Sequence, residues 1–145
     1  MAMKKSRAVS AKGILEYRLH GSRGLPVGAN LVCADNSGAK VLRIIQVYRT
    51  GSRLRRRPSA KVGDLVTVSV KKGTPDLKNK LMKAIIIRQR YPVRRRDGLR
   101  VVFEDNAAVL VTPEGDIKGT EIKGPVAKEA VDLWPKLSAI ASMVV

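Results

Sequence analysis

Two clusters of arginines are the residues of this chain whose types and spacing best indicate a chemistry. One cluster comprises Arg53 and Arg55–Arg57, and the other comprises Arg94–Arg96. A guanidinium is planar and permanently charged, donates paired hydrogen bonds to phosphate oxygens, and stacks on bases. The arginines of each cluster repel one another unless a polyanion offsets their charge. We therefore interpret both clusters as phosphate contacts, although any single arginine is equally consistent with a solvated surface charge.

Other basic residues extend this pattern along the first two thirds of the chain. The residues predicted to bind the polyanion are Lys4, Lys5, Arg7, Arg49, Arg53, Arg55, Arg56, Arg57, Lys71, Lys72, Lys78, Lys80, Arg94, Arg95 and Arg96. Residues 1–96 hold 24 basic and 4 acidic side chains, and residues 97–145 hold 5 and 8. The net charges are thus +20 and −3, which give the total of +17. The acidic part must interact with a different kind of partner.

The distribution of charged and aromatic residues indicates which polyanion is bound. Membrane surfaces are bound by basic amphipathic helices, but here the arginines interrupt strand-like segments, so no membrane contact is expected. Single-stranded nucleic acids stack on aromatic side chains. The chain has only five, which are scattered: Tyr17, Tyr48, Tyr91, Phe103 and Trp134. Since no helix-turn-helix or basic zipper indicates DNA, we predict that folded RNA is recognised through its backbone and shape.

No combination of residues predicts catalysis, a metal site or a cofactor. The only histidine, His20, lies in a glycine-rich segment without a fixed neighbour that would make it a general base. The only cysteine, Cys33, lies in an apolar segment, which predicts a buried, inert thiol and favours a reducing cytoplasm. Asp97, Glu104 and Asp105 flank turns, which indicates capping and solubility before a metal site. We therefore expect a protein that is not an enzyme.

Short β-strands are the elements predicted to position the basic residues. The predicted strands are Ala29–Ala34, Lys40–Tyr48, Asp64–Val70, Lys83–Gln89, Leu99–Phe103 and Ala107–Val111. Within them, Val66, Val68 and Val70 face one side, and the run Ala84–Ile87 predicts a strand that is buried on both faces. The basic residues fall into loops at 49–61 and 71–80. Short strands with frequent turns and no long helix predict an all-β fold, a small barrel or a sandwich.

The chain divides into three regions on this interpretation. Residues 1–28 form a basic N-terminal extension that orders on a partner, and residues 29–112 form the β-domain. Residues 113–145 form a C-terminal loop and short helical region. We expect helical turns at Pro125–Val131 and a short helix at Leu133–Ala141, with Asp132 as its N-cap and Pro135 in its first turn.

Several spaced motifs resemble the family of universal large ribosomal subunit protein fourteen. The motifs are Ala34-Asp35-Asn36-Ser37-Gly38-Ala39, Val62-Gly63-Asp64, Ala84-Ile85-Ile86-Ile87 with Asp97-Gly98, Phe103, Asn106 and Val109-Leu110 downstream, and the segment from Gly119-Thr120 through Ile122, Gly124-Pro125-Val126-Ala127 and Glu129. They cover residues 29–145 in order. The basic N-terminal extension and Asp132-Leu133-Trp134-Pro135 resemble the archaeal and eukaryotic branch of the family.

The resemblance implies a closed five-stranded β-barrel with a C-terminal loop and short helices, in cytoplasmic ribosomes. It assigns the basic residues to large-subunit rRNA, at the face that forms bridges with small-subunit rRNA. It implies contacts with large-subunit proteins three and twenty-four, and docking of an anti-association factor resembling initiation factor six. The protein-partner surface carried over from the family comprises Thr120, Glu121, Lys123 and Lys136. Glu121 departs from the arginine common in bacterial relatives.

Two other functions are compatible with a small basic barrel. A free RNA chaperone or regulator would share the charge pattern but would sediment apart from ribosomes. An RNA-modifying enzyme would need a nucleophile or a cofactor loop, and the sequence shows neither. The ribosomal constituent is the preferred hypothesis.

Overall fold

The computed structural model of the protein describes residues 21–48 and 54–145. The strands are β1 (Leu25–Pro26), β2 (Asn30–Cys33), β3 (Ala39–Val47), β4 (Ser59–Ala60), β5 (Leu65–Gly73), β6 (Leu81–Arg88), β7 (Val93–Arg94), β8 (Arg100–Val101), β9 (Ala107–Val111), β10 (Ile122–Val126) and β11 (Ala141–Val144). The helices are α1 (Lys128–Leu133) and α2 (Lys136–Ile140). No helix in this part of the chain is long and apolar enough to span a bilayer.

Five strands close into a barrel in the order β2-β3-β5-β6-β9. Four of the five pairings are antiparallel, and the closing pair, β2 with β9, is parallel. Closure removes the unpaired strand edges that an open sheet of this size would expose. The structure thus confirms the predicted mainly-β fold and the five-stranded closed barrel.

The barrel interior is filled by aliphatic side chains from alternate positions of the strands. Val66, Val68 and Val70 are fully buried on one face of β5, as their spacing predicts. Residues Ala84–Ile87 are buried without alternation, because the C-terminal region covers the outer face of β6. The Ala127 amide, for example, donates to the Ile87 carbonyl at 3.1 Å. The prediction of a strand buried on both faces is therefore confirmed.

Asp35 completes the parallel seam that closes the barrel. The ladder between β2 and β9 has two rungs, Val32 with Ala107 and Cys33 with Ala108. Beyond it, the buried Asp35 carboxylate accepts hydrogen bonds from the Leu110 amide at 2.8 Å and from the Ser37 amide at 3.1 Å. The side chain thereby joins the two strands where backbone pairing ends and fixes the following turn as well.

The folded unit begins before the predicted boundary at residue 29. Strand β1 pairs with β4, and Leu25 is buried in the core. The glycines and proline around it predicted an irregular extension, but Leu25 and the backbone hydrogen bonds of Val27 to Pro58 and of Gly28 to Ile44 attach the segment. Residues 1–20, with the predicted contacts of Lys4, Lys5 and Arg7, lie outside the described part of the chain.

Two strand predictions are wrong in their extent. β5 continues to Gly73, so that Lys71 and Lys72 lie on a strand and not in a loop. The segment Leu99–Phe103 does not join the barrel, since only Arg100–Val101 is a strand and it pairs with Val93–Arg94. These two strands form a small hairpin outside the barrel, and its residues alternate because its inner face packs Val93 against the core.

The C-terminal region differs from its prediction. Ile122–Val126 is a strand, and the first helix begins only at Lys128. Asp132 lies inside α1, so its assignment as an N-cap is wrong. Pro135 occupies the N-cap position of α2, since proline ends a preceding helix and is preformed to start the next. The terminal strand β11, which pairs in parallel with β10, was not predicted.

This region covers part of the barrel with apolar side chains. Ala130 and Leu137 are fully buried, and the Trp134 indole donates to the Gly63 carbonyl at 2.9 Å. A Cβ atom at Gly63 would approach Leu133 to 2.6 Å, so the leucine lies directly against this glycine.

Candidate nucleic-acid interface

The barrel presents two ends that carry the basic residues. β5 runs nine residues from Leu65 at one end to Gly73 at the other, a distance of about 27 Å. The first end, formed by residues 22–28, 54–64 and 88–106, is called the arginine end. The second, formed by residues 34–40, 71–81 and 112–121, is called the lysine end.

The arginine end includes the loop that bears Arg55–Arg57, all of which are exposed. Arg55 has a positive φ of 63°, a conformation that costs a non-glycine residue energy and turns the chain sharply. The loop returns to the barrel through β4, and the Val27 amide donates to the Pro58 carbonyl at 3.1 Å. Arg49 and Arg53 precede this loop and lie outside the described residues.

The turn after this loop is anchored inside the arginine end. The Asp64 carboxylate accepts a hydrogen bond from the Lys61 amide at 3.0 Å, and the Gly63 amide donates to Ile86 at 2.8 Å. Burial raises the pKa of Asp64 above its ordinary value, and the Lys61 amide and nearby cations oppose that shift. Asp64 therefore serves the turn and is not a ligand for RNA.

The second arginine cluster lies on the β7–β8 hairpin at the same end, but its three members differ. Arg94 and Arg96 are exposed. The Arg95 guanidinium instead donates to the two Glu129 oxygens at 2.8 and 3.3 Å and to the Val145 carbonyl at 2.6 Å. Hydrogen bonding to Glu129 raises the pKa of Arg95. These internal hydrogen bonds of Nε and Nη2 leave Arg95 less available for the predicted contact with RNA than the exposed Arg94.

The lysine end displays Lys71, Lys72, Lys78 and Lys80, all of them exposed. The β5–β6 hairpin that carries them is held tightly. Leu77 is buried beneath it, and the Asn79 amide donates to the Val70 carbonyl at 2.8 Å. The neighbouring turn joins it through the Thr74 amide, which donates to Gly38 at 3.1 Å.

Arginine and lysine are segregated between the two ends, which the sequence alone did not indicate. The exposed cations of the arginine end include Arg23, Arg55, Arg56, Arg57, Arg90, Arg94, Arg96 and Arg100. Those of the lysine end, with the adjoining segments, are Lys40, Lys71, Lys72, Lys78, Lys80, Lys118, Lys123 and Lys136. The exceptions among the described residues are the half-buried Lys61 and the exposed Lys128 at the arginine end, and the exposed Arg43 on β3 and half-buried Lys83 on β6, which lie between the ends. The predicted RNA-binding residues therefore form two surfaces and not one face.

The predicted protein-partner residues lie beside the lysine end. Thr120, Glu121 and Lys123 are exposed on one segment. The Asn36 side chain fixes that segment, because its amide group donates to the Thr120 hydroxyl at 2.8 Å and its oxygen accepts from the Thr120 amide at 2.9 Å. Lys136 pairs with Asp116, which lies in the loop that leads to Thr120.

The remaining polar residues serve the fold. Cys33 is buried and donates to Asp35 at 3.1 Å. The prediction of a buried thiol is confirmed, and burial, followed by the charge of Asp35, raises its pKa to about 12, which disfavours the reactive thiolate. Asp105 pairs with Arg88 at 2.8 Å. Within residues 21–48 and 54–145, no group of three or more His, Cys, Asp or Glu residues could hold a metal ion, and His20 lies outside them.

Sequence reasoning missed the structural role of Arg88. The residue ends the apolar strand β6 and is only 6% exposed. An arginine that directly continues a run of four buried residues is a signal of such a role, since a buried guanidinium requires several acceptors.

Comparison with known proteins identifies the family. The family model described as "Ribosomal protein L14p/L23e" matches residues 24–145. The chain belongs to this family. It is 59% identical over 145 residues to large ribosomal subunit protein uL14 of Cenarchaeum symbiosum, which covers 100% of both chains. It is 58% identical over 136 residues to the uL14 protein of Nitrosopumilus maritimus (94% of this chain and 97% of the relative), and 51% identical over 137 residues to that of Candida albicans (94% and 100%).

Membership of the L14p/L23e family confirms the resemblance found in the motifs, including the archaeal and eukaryotic branch. The protein is a non-enzymatic structural constituent of the large ribosomal subunit in cytoplasmic ribosomes, where it binds rRNA and ribosomal proteins. The preferred hypothesis is thus confirmed at this level over a free RNA chaperone and over a modifying enzyme.

Proposed function

We propose that the arginine end anchors the protein in large-subunit rRNA and that the lysine end faces the small subunit. The observation that carries this proposal is the segregation of exposed arginine and lysine between opposite ends of one barrel. If the protein bound RNA through one face only, we would expect the exposed arginines and lysines to be mixed on that face.

The two cations suit different kinds of contact. Arginine forms bidentate hydrogen bonds with phosphate and stacks on bases, so it suits a permanent, shape-specific contact with folded RNA. Lysine is a strongly hydrated point charge on a flexible stem, and it attracts a phosphate backbone without fixing its geometry. Such a contact suits subunits that join and separate in every round of translation.

The segment with Thr120, Glu121 and Lys123, together with Lys136, is the proposed surface for protein partners. The resemblance supports large-subunit proteins three and twenty-four as neighbours, and an anti-association factor resembling initiation factor six as a transient partner. Exposed Glu121 gives this surface a mixed charge, which suits a protein better than RNA. Because this surface lies beside the lysine end, a factor bound to it would also obstruct the approach of small-subunit RNA to the lysine end.

Two charge-removal variants test the proposal. Replacing Arg55, Arg56 and Arg57 by Ala should reduce incorporation into reconstituted large subunits. It should also lower the salt slope of binding to large-subunit rRNA by up to about 0.9 for each phosphate that is no longer neutralised. Replacing Lys71, Lys72 and Lys78 by Ala removes the same charge at the other end. It should leave incorporation intact and weaken joining with small subunits on sucrose gradients.

The pair of variants serves as its own matched control. Equal loss of incorporation in both would contradict the division between the two ends. Normal subunit joining by large subunits that carry the lysine variant would show that this end does not face small-subunit RNA.

A further inference from the structure

Strand β10 has backbone groups that the barrel strands cannot pair. The Lys123 amide donates to Ala34 at 2.7 Å, and the Ala127 amide donates to Ile87 at 3.1 Å. Between these two attachments lie Gly124 and Pro125, and proline has no amide hydrogen to continue a ladder. The backbone contact of β10 with the barrel strands is therefore interrupted here, and the carbonyls of Lys123 and Pro125 accept from a side-chain donor instead.

The buried Arg88 side chain supplies that donor. Its Nη1 atom donates to the Lys123 carbonyl at 2.9 Å and to the Pro125 carbonyl at 2.8 Å. The other side of the guanidinium, Nε and Nη2, donates to the two Asp105 oxygens at 2.8 and 3.1 Å. One planar group thus joins the end of β6, the turn before β9 and the backbone of β10.

Gly124 lets the guanidinium approach this backbone closely. Its φ of 82° is readily adopted only by glycine, and a Cβ atom there would lie 2.9 Å from Nη1 of Arg88. The arginine and the glycine therefore fit each other in a way that a shorter or non-planar cation would not reproduce.

We propose that Arg88 is a positioning residue for the partner-facing segment and not a ligand for RNA. The segment Thr120–Gly124 is held at one end by Asn36 and at the other by Arg88, and between them it displays Glu121 and Lys123. That this segment faces a partner rests on the proposed function. The positioning itself rests only on the contacts of Arg88.

Hydrogen exchange in the full-length protein tests the positioning directly. In Arg88→Met, exchange of the Lys123 and Ala127 amides should accelerate at least about tenfold, since two carbonyls lose their donor and β10 detaches locally. The amides of β3 and β5 should keep their protection. Arg88→Lys should not restore protection, because an ammonium cannot reproduce the planar fork. Arg94→Met, which removes an exposed arginine, is the matched control and should leave these amides unchanged.

A milder variant keeps the test decisive if Arg88→Met destabilises the whole protein. Asp105→Asn retains the shape of the half-exposed Asp105 but removes its charge, and should accelerate exchange at Lys123 and Ala127 to a smaller extent. Unchanged exchange at these amides in both variants would overturn the proposal. Uniform acceleration across the barrel in Asp105→Asn would also overturn it, because Arg88 would then stabilise the whole fold without positioning one segment.

A second readout separates this inference from the proposed function. Large subunits that carry Asp105→Asn can be joined with small subunits on gradients. Faster exchange of the Lys123 and Ala127 amides with unchanged association of the subunits would support the positioning role of Arg88. The same result would count against the segment Thr120–Gly124 as part of the subunit interface.

Discussion

The arginine end and the lysine end hold their cations in different ways. At the lysine end, short turns are fixed by backbone hydrogen bonds such as that of Asn79 with Val70, and by the buried Asp35. At the arginine end, long connections are fixed by ion pairs of arginines with carboxylates, at Arg88–Asp105 and Arg95–Glu129. The comparison teaches that arginines of the arginine end occur both in internal ion pairs and exposed to solvent, whereas the lysines beside the lysine end are exposed, including Lys136 in its pair with Asp116.

The largest expected effect comes from removing the anchor of the lysine end. Asp35→Ala leaves the buried Leu110 amide and the Ser37 amide without their acceptor, so we expect the free energy of unfolding to fall by about 3 kcal/mol. Urea denaturation measures this loss. Asp76→Ala, an exposed aspartate in the hairpin of the same end, should change stability by less than about 0.5 kcal/mol. Equal effects of the two would show that Asp35 does not hold the seam.

A pair of glycine-to-alanine substitutions compares how closely the backbone is packed at the two ends. A Cβ atom at Gly73 would lie 2.8 Å from the Gly38 carbonyl oxygen and 2.9 Å from Ala39 Cα, both of them backbone atoms. Gly73→Ala should therefore cost about 2 kcal/mol. Gly98, at the arginine end, meets nothing within 4 Å and carries only the strain of its φ of 84°. Gly98→Ala should cost about 1 kcal/mol. Thermal unfolding distinguishes the two, and a larger cost at Gly98 would reverse the comparison.

The smallest expected effect tests whether the ion pair of Arg95 with Glu129 stabilises the arginine end. A double-mutant cycle of Arg95→Met and Glu129→Gln should give a coupling of about 1 kcal/mol, because both side chains are mostly buried. Arg94→Met should leave stability unchanged and weaken RNA binding. A coupling near zero, with weaker RNA binding on removal of Arg95, would return Arg95 to the predicted RNA contacts.

The sequence predicted the barrel well because its strands are dictated by local pattern. The alternation of Val66, Val68 and Val70 and the apolar run Ala84–Ile87 leave little choice of structure. The pattern of Leu99–Phe103 predicts a strand of the β-domain, whereas Arg100–Val101 pairs with Val93–Arg94 outside the barrel. Periodicity indicates that a strand has a buried face but not which neighbour covers it. The region after Pro113 was predicted least well, since its elements are short and depend on tertiary contacts such as that of Trp134 with Gly63.

The candidate site was predictable in composition but not in arrangement. Clustering predicts that the cations contact RNA, which stays a prediction, and nothing in three consecutive arginines shows that Arg95 turns toward Glu129. The separation into two ends likewise follows from strand direction in three dimensions. Arg88 was overlooked because an isolated arginine carries no cluster signal.

The nine-residue length of β5 has an electrostatic consequence. Exposed charges in a cell are screened over about 8 Å, and this strand separates the two ends by roughly three such lengths. Adding or removing an exposed charge at one end therefore has little effect through solvent on the potential at the other end. The barrel thus separates the two sets of exposed charges electrostatically, while Arg88 still connects the arginine end to the backbone of Lys123 through a hydrogen bond.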